Sequence, residues 1–120
     1  MAAADAWCRW EDAPEPGAPR FSDESAGFRL AFARLVTHYW SHDSWLEDGE
    51  VLTNAARLAD IPGVLVQGTL DLGNLIGTPW ELAAAWPGVE LRMVDAAHEV
   101  RSRAMIDGLV EATDRFSDHR

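Results

Sequence analysis

Two stretches decide how this chain is read: IPGVLVQGTLD, from Ile61 to Asp71, and its echo ELRMVDAAHEV, from Glu90 to Val100. Val64, Leu65 and Val66 run without alternation, and Leu91, Met93 and Val94 do the same with one interruption at Arg92. A short, continuous apolar run fits a strand buried on both faces, the habit of parallel sheets. Between the two lies TPWELAAAW, Thr78 to Trp86, which predicts a helix. Thr78 suits the cap, Pro79 the first helical position and Glu81 the first turn, and Pro87 and Gly88 stop it. Strand, helix and strand make one right-handed crossover. Asp71 and His98 then fall just beyond the C-terminal tips of the two strands, where open α/β sheets carry their chemistry.

Working outward, Ser102 to about Phe116 predicts a last helix, with Met105, Ile106, Leu109, Val110, Thr113 and Phe116 as its apolar stripe. This helix is expected to lay Ile106, Leu109 and Val110 on the strands, and Trp80 and Trp86 to pack the crossover helix against them. Upstream, a short helix runs from about Val51 to Ala59, after a polar loop from His42 to Glu50 that turns at Asp48-Gly49. A longer helix is expected from a cap at Ser22 or Asp23 to about Ser41, with Phe28, Phe32, Leu35, Val36 and Tyr39 on one face. APEPGAPR, Ala13 to Arg20, reads as a linker or extended loop. Met1 to Asp12 is alanine-rich and helical in character, with Trp7 and Trp10 sharing a face. The fold class is therefore α/β, with a helical segment over residues 1–59 and a βαβα segment over 60–120. Two parallel strands are seldom self-sufficient. They either pair with a second copy, making a homo-oligomer, or belong to a sheet whose other strands lie elsewhere. An exposed apolar sheet face is expected at Val64, Val66, Leu91 and Met93.

Composition narrows the partners. With 120 residues the chain suffices for one small domain, and at 48% hydrophobic it is not disordered by composition. Twenty acidic against ten basic residues give a net charge of −10, which argues against nucleic acid, whose binders carry basic patches. The acidic excess is most simply a solvated surface. The single Cys8 excludes an internal disulfide and fits a reducing, cytoplasmic setting. No apolar run approaches the length that spans a bilayer, and no basic-then-apolar leader opens the chain, so no membrane association is expected. His38 and His42 are spaced to share a metal face, but without a third ligand they read as surface histidines, and neither metal nor cofactor is implied.

The blocks AWCRWED, FARLVTHYW, IPGVLVQGTLD and PWELAAAWPGVELRMVDAAHE, taken together and in order, resemble the C-terminal portion of proline iminopeptidases, which are α/β-hydrolase enzymes that release N-terminal proline from peptides. Trp7, Trp10, Trp80, Trp86 and the His38–Trp40 triplet fall where that family has aromatics. The resemblance implies a helical cap remnant followed by the last two parallel strands and last helix of the hydrolase core. It implies a peptide with N-terminal proline as substrate. It also places Asp71 and His98 at the catalytic acid and base of a Ser-Asp-His triad. Glu11, in the WED block, matches one of the cap glutamates that hold the substrate's imino cation.

The chain departs from the family in several places. It contains no G-x-S-x-G elbow, and none of Ser22, Ser25, Ser41, Ser44, Ser102 and Ser117 stands in such a context. An oxyanion-hole loop of the HGGG kind is also missing. Ala97 precedes the histidine where the family has Gly, which suggests a different loop. LGNLIGTP replaces a Cys-Pro turn, and Val36 occupies the place of a second cap glutamate. The resemblance thus implies a hydrolase remnant that keeps acid and base and is inactive alone. One chain of a split hydrolase, completed by a missing N-terminal half, is an alternative. A non-catalytic self-associating module is another, in which Asp71 merely caps a turn, His98 is a loop histidine and the tryptophans are packing.

Overall fold

Both apolar runs become strands. In the computed structural model, which describes residues 1–14, 20–72, 77–98 and 100–117, β1 (Val64–Gly68) lies parallel to β2 (Glu90–Val94). Val64 stands opposite Glu90 and Gly68 opposite Val94. Residues 15–19 of the proline-rich stretch and 73–76 of LGNLIGTP lie outside the described residues. The chain divides into two compact units, Met1–Asp48 and Gly49–Arg120.

In the second unit the strands are joined through α4 (Gly77–Ala85). This helix already includes Gly77, so Thr78 lies within its first turn and is not its cap. It ends at Ala85, and Gly88 follows with φ +79°, a left-handed turn that glycine adopts at no steric cost. Trp86 is the anchor of this corner. Its indole lies over Gly63, and its Nε1–H donates to the carbonyls of Leu58 (2.9 Å) and Ile61 (3.1 Å). Trp80, by contrast, is 67% exposed and packs nothing onto the strands, contrary to expectation. Ahead of β1, the short helix forms as α3 (Glu50–Asn54) and continues into a 3-10 turn over Ala55–Leu58.

The last helix, α5 (Arg103–Ser117), is capped by Ser102, whose Oγ accepts from the Met105 N–H at 3.1 Å. It buries Met105, Gly108 and Ala112 rather than the expected line of Ile106, Leu109 and Val110. Ile106 and Val110 are exposed and Leu109 is half-buried. The reason is close approach. A Cβ at Gly108 would lie 3.1 Å from Val66 Cγ1 and 3.3 Å from Val94 Cγ1, so the helix meets the sheet on its smallest residue. Hydrophobic periodicity weighs large residues most, so the expected stripe held the buried Met105 but passed over Gly108 and Ala112. Val64, Leu65, Val66 and Leu91 remain half-buried and Met93 is exposed, so much of the strand surface is uncovered among the described residues. Arg92, the interruption in β2, bonds Glu90 and Glu111, and Glu90 also pairs with Arg115. Hydrogen bonds from these two arginines hold the Glu90 carboxyl below its ordinary range.

The first unit is helical. α1 (Ala2–Glu11) buries Ala4 and Cys8, and α2 (Ala26–Trp40) buries Ala33, small residues that let the two helices approach. The cap of α2 is Ser25, accepting from Phe28 N at 3.2 Å, and not Ser22 or Asp23, which sit in a 3-10 turn over Phe21–Asp23. That turn is tied back to α1 by Asp12, whose carboxylate accepts from the N–H groups of Phe21 (2.6 Å) and Ser22 (3.1 Å). Arg29 of α2 bonds Asp5 of α1 at 2.8 Å. Of the expected apolar face of α2, Phe32 and Val36 are half-buried, while Phe28, Leu35 and Tyr39 are exposed.

Candidate acid–base site

Beyond their paired tips the two strands stay zipped. Thr69 N–H donates to Val94 O at 2.9 Å, and Leu70 N–H to Ala96 O at 3.0 Å. The segment leaving β1 therefore runs against the segment leaving β2. Gly68 permits this, because a Cβ there would sit 2.3 Å from Ala96 O and 2.6 Å from Ala97 O. Backbone oxygens cannot swing aside as side-chain tips do, so only glycine fits. Ala97 itself needs no unusual conformation. Among the described residues the non-glycine positive φ values belong to Asp43, Ser44 and Trp45. Alanine before the histidine therefore brings no left-handed strain.

This zipper brings Asp71 and His98 together across 27 positions of sequence, with Nδ1 of the imidazole 2.9 Å from Asp71 Oδ2. The carboxylate side chain is 4% exposed and the imidazole 68%. A buried carboxylate thus faces an accessible ring. With its proton on Nδ1 donated to Asp71, the histidine carries its basic lone pair on Nε2. Such an arrangement can orient a general base and steady the imidazolium it would become.

A third residue joins the pair. Gln67 is buried, and its side-chain amide donates to Asp71 Oδ2 (3.3 Å) and to Gly68 O (3.2 Å). Sequence reading passed over it. The available signal was a lone polar residue inside the apolar run VLVQG. Gly68 was missed too, since close backbone approach is a tertiary fact.

The other candidates lie in the first unit. Glu11 is the last residue of α1 and half-buried, and Val36 lies half-buried in α2. The rings of His38 and His42 are 4.9 Å apart, but His42 Nδ1 contacts the His38 carbonyl (2.7 Å) and its ring stacks on Trp45. Among the described residues no three His, Cys, Asp or Glu side chains are grouped to hold a metal ion. Trp7, Trp10 and Trp40 cluster with ring centroids 5.3–6.4 Å apart, while Trp45 sits apart from them with His38, Tyr39 and His42. Burial pushes the Cys8 thiol up, and the Asp12, Asp5 and Glu11 carboxylates add to this against Arg29, so it is a packing residue and a poor nucleophile. No helix among the described residues is long and apolar enough to cross a membrane.

Parallel strands joined through a helix, with carboxylate and imidazole meeting beyond their C-terminal tips, make a βαβ unit of the α/β class. No family model matches the chain. Individual relatives do. The chain is 44% identical over 123 residues to a probable proline iminopeptidase of Streptomyces coelicolor, which covers 96% of this chain and 38% of that protein. It is 37% identical over 120 residues to a proline iminopeptidase of Neisseria meningitidis, covering 99% of the chain and 39% of the relative. A proline iminopeptidase of Xanthomonas citri is 38% identical over 128 residues, with 98% and 39% covered. These relatives support the proline iminopeptidase family for this chain, which spans somewhat over a third of their length.

Proposed function

We propose that this chain is the acid–base part of a serine-type prolyl aminopeptidase, matching the C-terminal portion of the family. His98 acts as the base and Asp71 as the carboxylate that holds it. The reading rests on one observation, the 2.9 Å contact between His98 Nδ1 and a buried Asp71 carboxylate beyond adjacent parallel strands, in a chain related to proline iminopeptidases. The serine and the oxyanion hole then come from the part of the family's length that this chain does not span. In the hydrolytic cycle His98 Nε2 takes the proton of that serine as it attacks the prolyl carbonyl, and returns it to the leaving amine. The substrate class is a peptide with N-terminal proline, and Glu11 is carried over from the family as a carboxylate for its imino cation. By descent residues 1–59 are the cap-like segment and 60–120 the core segment. The packing boundary at Asp48–Gly49 differs because α3 packs with α4.

The half-buried strand surface favours completion of the sheet by further strands over self-sufficiency. The experiment assays prolyl-naphthylamide hydrolysis by the purified chain, alone and co-expressed with the complementary portion of the Streptomyces coelicolor relative. No turnover alone, and turnover on complementation that Asp71→Asn and His98→Ala each abolish, is the expected result. Turnover by the chain alone would overturn the missing-nucleophile reading. A folded complex whose activity survives His98→Ala would overturn the assignment of the base.

A further inference from the structure

We propose that Gln67 is a positioning residue of the acid–base pair, its amide helping to hold the Asp71 carboxylate in the orientation that meets His98. The inference rests on the reading of Asp71 and His98 just given. The geometry behind it is specific. Gln67 belongs to β1, where its backbone lies in register with Met93, so its Cα cannot wander. Its side chain is among the few buried polar ones, 6% exposed for the residue as a whole. Its nitrogen faces two oxygens at once, Asp71 Oδ2 at 3.3 Å and Gly68 O at 3.2 Å. An amide nitrogen has two hydrogens and can serve both, whereas the flipped amide would set its own oxygen against two acceptors. The orientation is therefore the one that the neighbours require.

The oxygen it reaches is the one that His98 Nδ1 contacts at 2.9 Å. Amide and imidazole thus converge on a single carboxylate oxygen from two directions. An aspartate just past a strand end has a free χ1 torsion and χ2 rotation unless something holds it. Gln67 supplies one such hold from the rigid strand, through a spacing of four residues. A cation in its place would satisfy Asp71 by neutralising it, and would compete with the imidazolium for the same charge. A neutral amide orients the carboxylate and leaves its charge for the histidine. An apolar residue would fit the surrounding run VLV and G equally well, yet it would leave Oδ2 with one donor fewer in a buried place. The bond to Gly68 O matters as well. Gly68 is the residue whose missing side chain lets the His98 loop approach, so the amide ties the acid to the same backbone point that admits the base.

The test reads the tautomer of His98 by nitrogen-15 NMR of the full chain, above the titration of the ring. Wild type is expected to hold the proton on Nδ1. Gln67→Met keeps volume and length and removes the donor, and the Nδ1–H to Nε2–H ratio is expected to invert toward the Nε2–H form that an unconstrained histidine favours. Asp71→Asn serves as the control and is expected to invert it too. A wild-type ratio in Gln67→Met beside an inverted ratio in Asp71→Asn would overturn the role of Gln67 and leave the pair standing. A wild type already on Nε2–H would overturn the pair and this inference with it. Should Gln67→Met fail to fold, the unmutated chain decides. The side-chain amide protons of Gln67 are expected to shift together with the Asp71 carboxyl carbon as that carboxyl titrates, and amide protons that ignore this titration would overturn the inference.

Discussion

In Met1–Asp48 the polar ties are made by the tips of side chains, whereas in Gly49–Arg120 glycines bring backbone against backbone, ring or methyl group. The first unit ties α1 to the turn after it through the Asp12 carboxylate, ties α1 to α2 through Arg29 and Asp5, and stacks Phe21, Phe28 and Phe32 on one another. Trp7, Trp10 and Trp40 touch each other, yet Trp10 and Trp40 stay more than half exposed. The second unit instead depends on three glycines, Gly63, Gly68 and Gly108, each placed where a side chain would strike a neighbour. The difference teaches where precision sits. A unit joined by flexible tips accommodates change by rotating them. At Gly68 the second unit is joined at backbone distance, and an added atom there is transmitted directly into the loop that carries His98.

This contrast can be broken in four ways, taken from the largest expected effect. Gly68→Ala should destabilise the second unit by about 3 kcal/mol, the upper end of the overpacking range, because the added carbon meets the carbonyls of Ala96 and Ala97. Urea unfolding followed by amide exchange of β1 and β2 measures it, and a loss below about 0.5 kcal/mol would show that the loop yields after all. Asp12→Ala should cost the first unit about 2 kcal/mol, since it strands the Phe21 and Ser22 donors.

Acid probes the same anchor without mutation. Burial alone would raise the Asp12 carboxyl, but hydrogen bonds from Ser22 and Phe21, with the charge of Arg20, outweigh it and hold the group below its ordinary range. The unfolded chain then binds its proton first as pH falls. The contribution of Asp12 is complete above the unfolded value of about 3.9 and fades as pH drops through the lower folded value. An acid titration of the first unit's helix signal should show this loss in wild type and a smaller one in Asp12→Asn.

Trp86→Phe comes third, at about 1.5 kcal/mol, because the shorter ring gives up the outer indole carbons that lie over Gly63 and the carbonyls of Leu58 and Ile61 lose their donor. Thermal unfolding of the second unit is the measurement. Smallest is Val110→Ser, within about 0.5 kcal/mol, since α5 leaves that residue exposed and rests on Gly108. A loss near 2 kcal/mol would mean that the apolar stripe read from sequence is the true packing face.

Much of the second unit was legible in the chain itself. VLVQG and ELRMV are strands, a helix crosses between them, and Asp71 and His98 stand just past the strand ends. The aromatic assignments fared unevenly, with Trp86 an anchor and Trp80 exposed, because both occupy similar local patterns and only their neighbours differ. The caps erred by a few residues for a related cause. Ser22, Asp23 and Ser25 are all good caps, and the choice fell to Ser25 because Asp12 had already drawn Phe21 and Ser22 into a turn of their own. Gln67 and Gly68 were invisible as site residues, since their meaning depends on groups that arrive from the other strand's exit.

By itself, then, the sequence determined the order and kind of the elements around the site and set Asp71 and His98 just past two strand ends, because apolar runs, prolines and strand ends act within a few residues. Only the tertiary structure decided that Asp71 is buried, that His98 is accessible, that Gln67 reaches the shared oxygen and that α5 rests on Gly108. Those outcomes follow from distances between atoms far apart in the chain, where one methyl group more or less decides whether two backbones can meet.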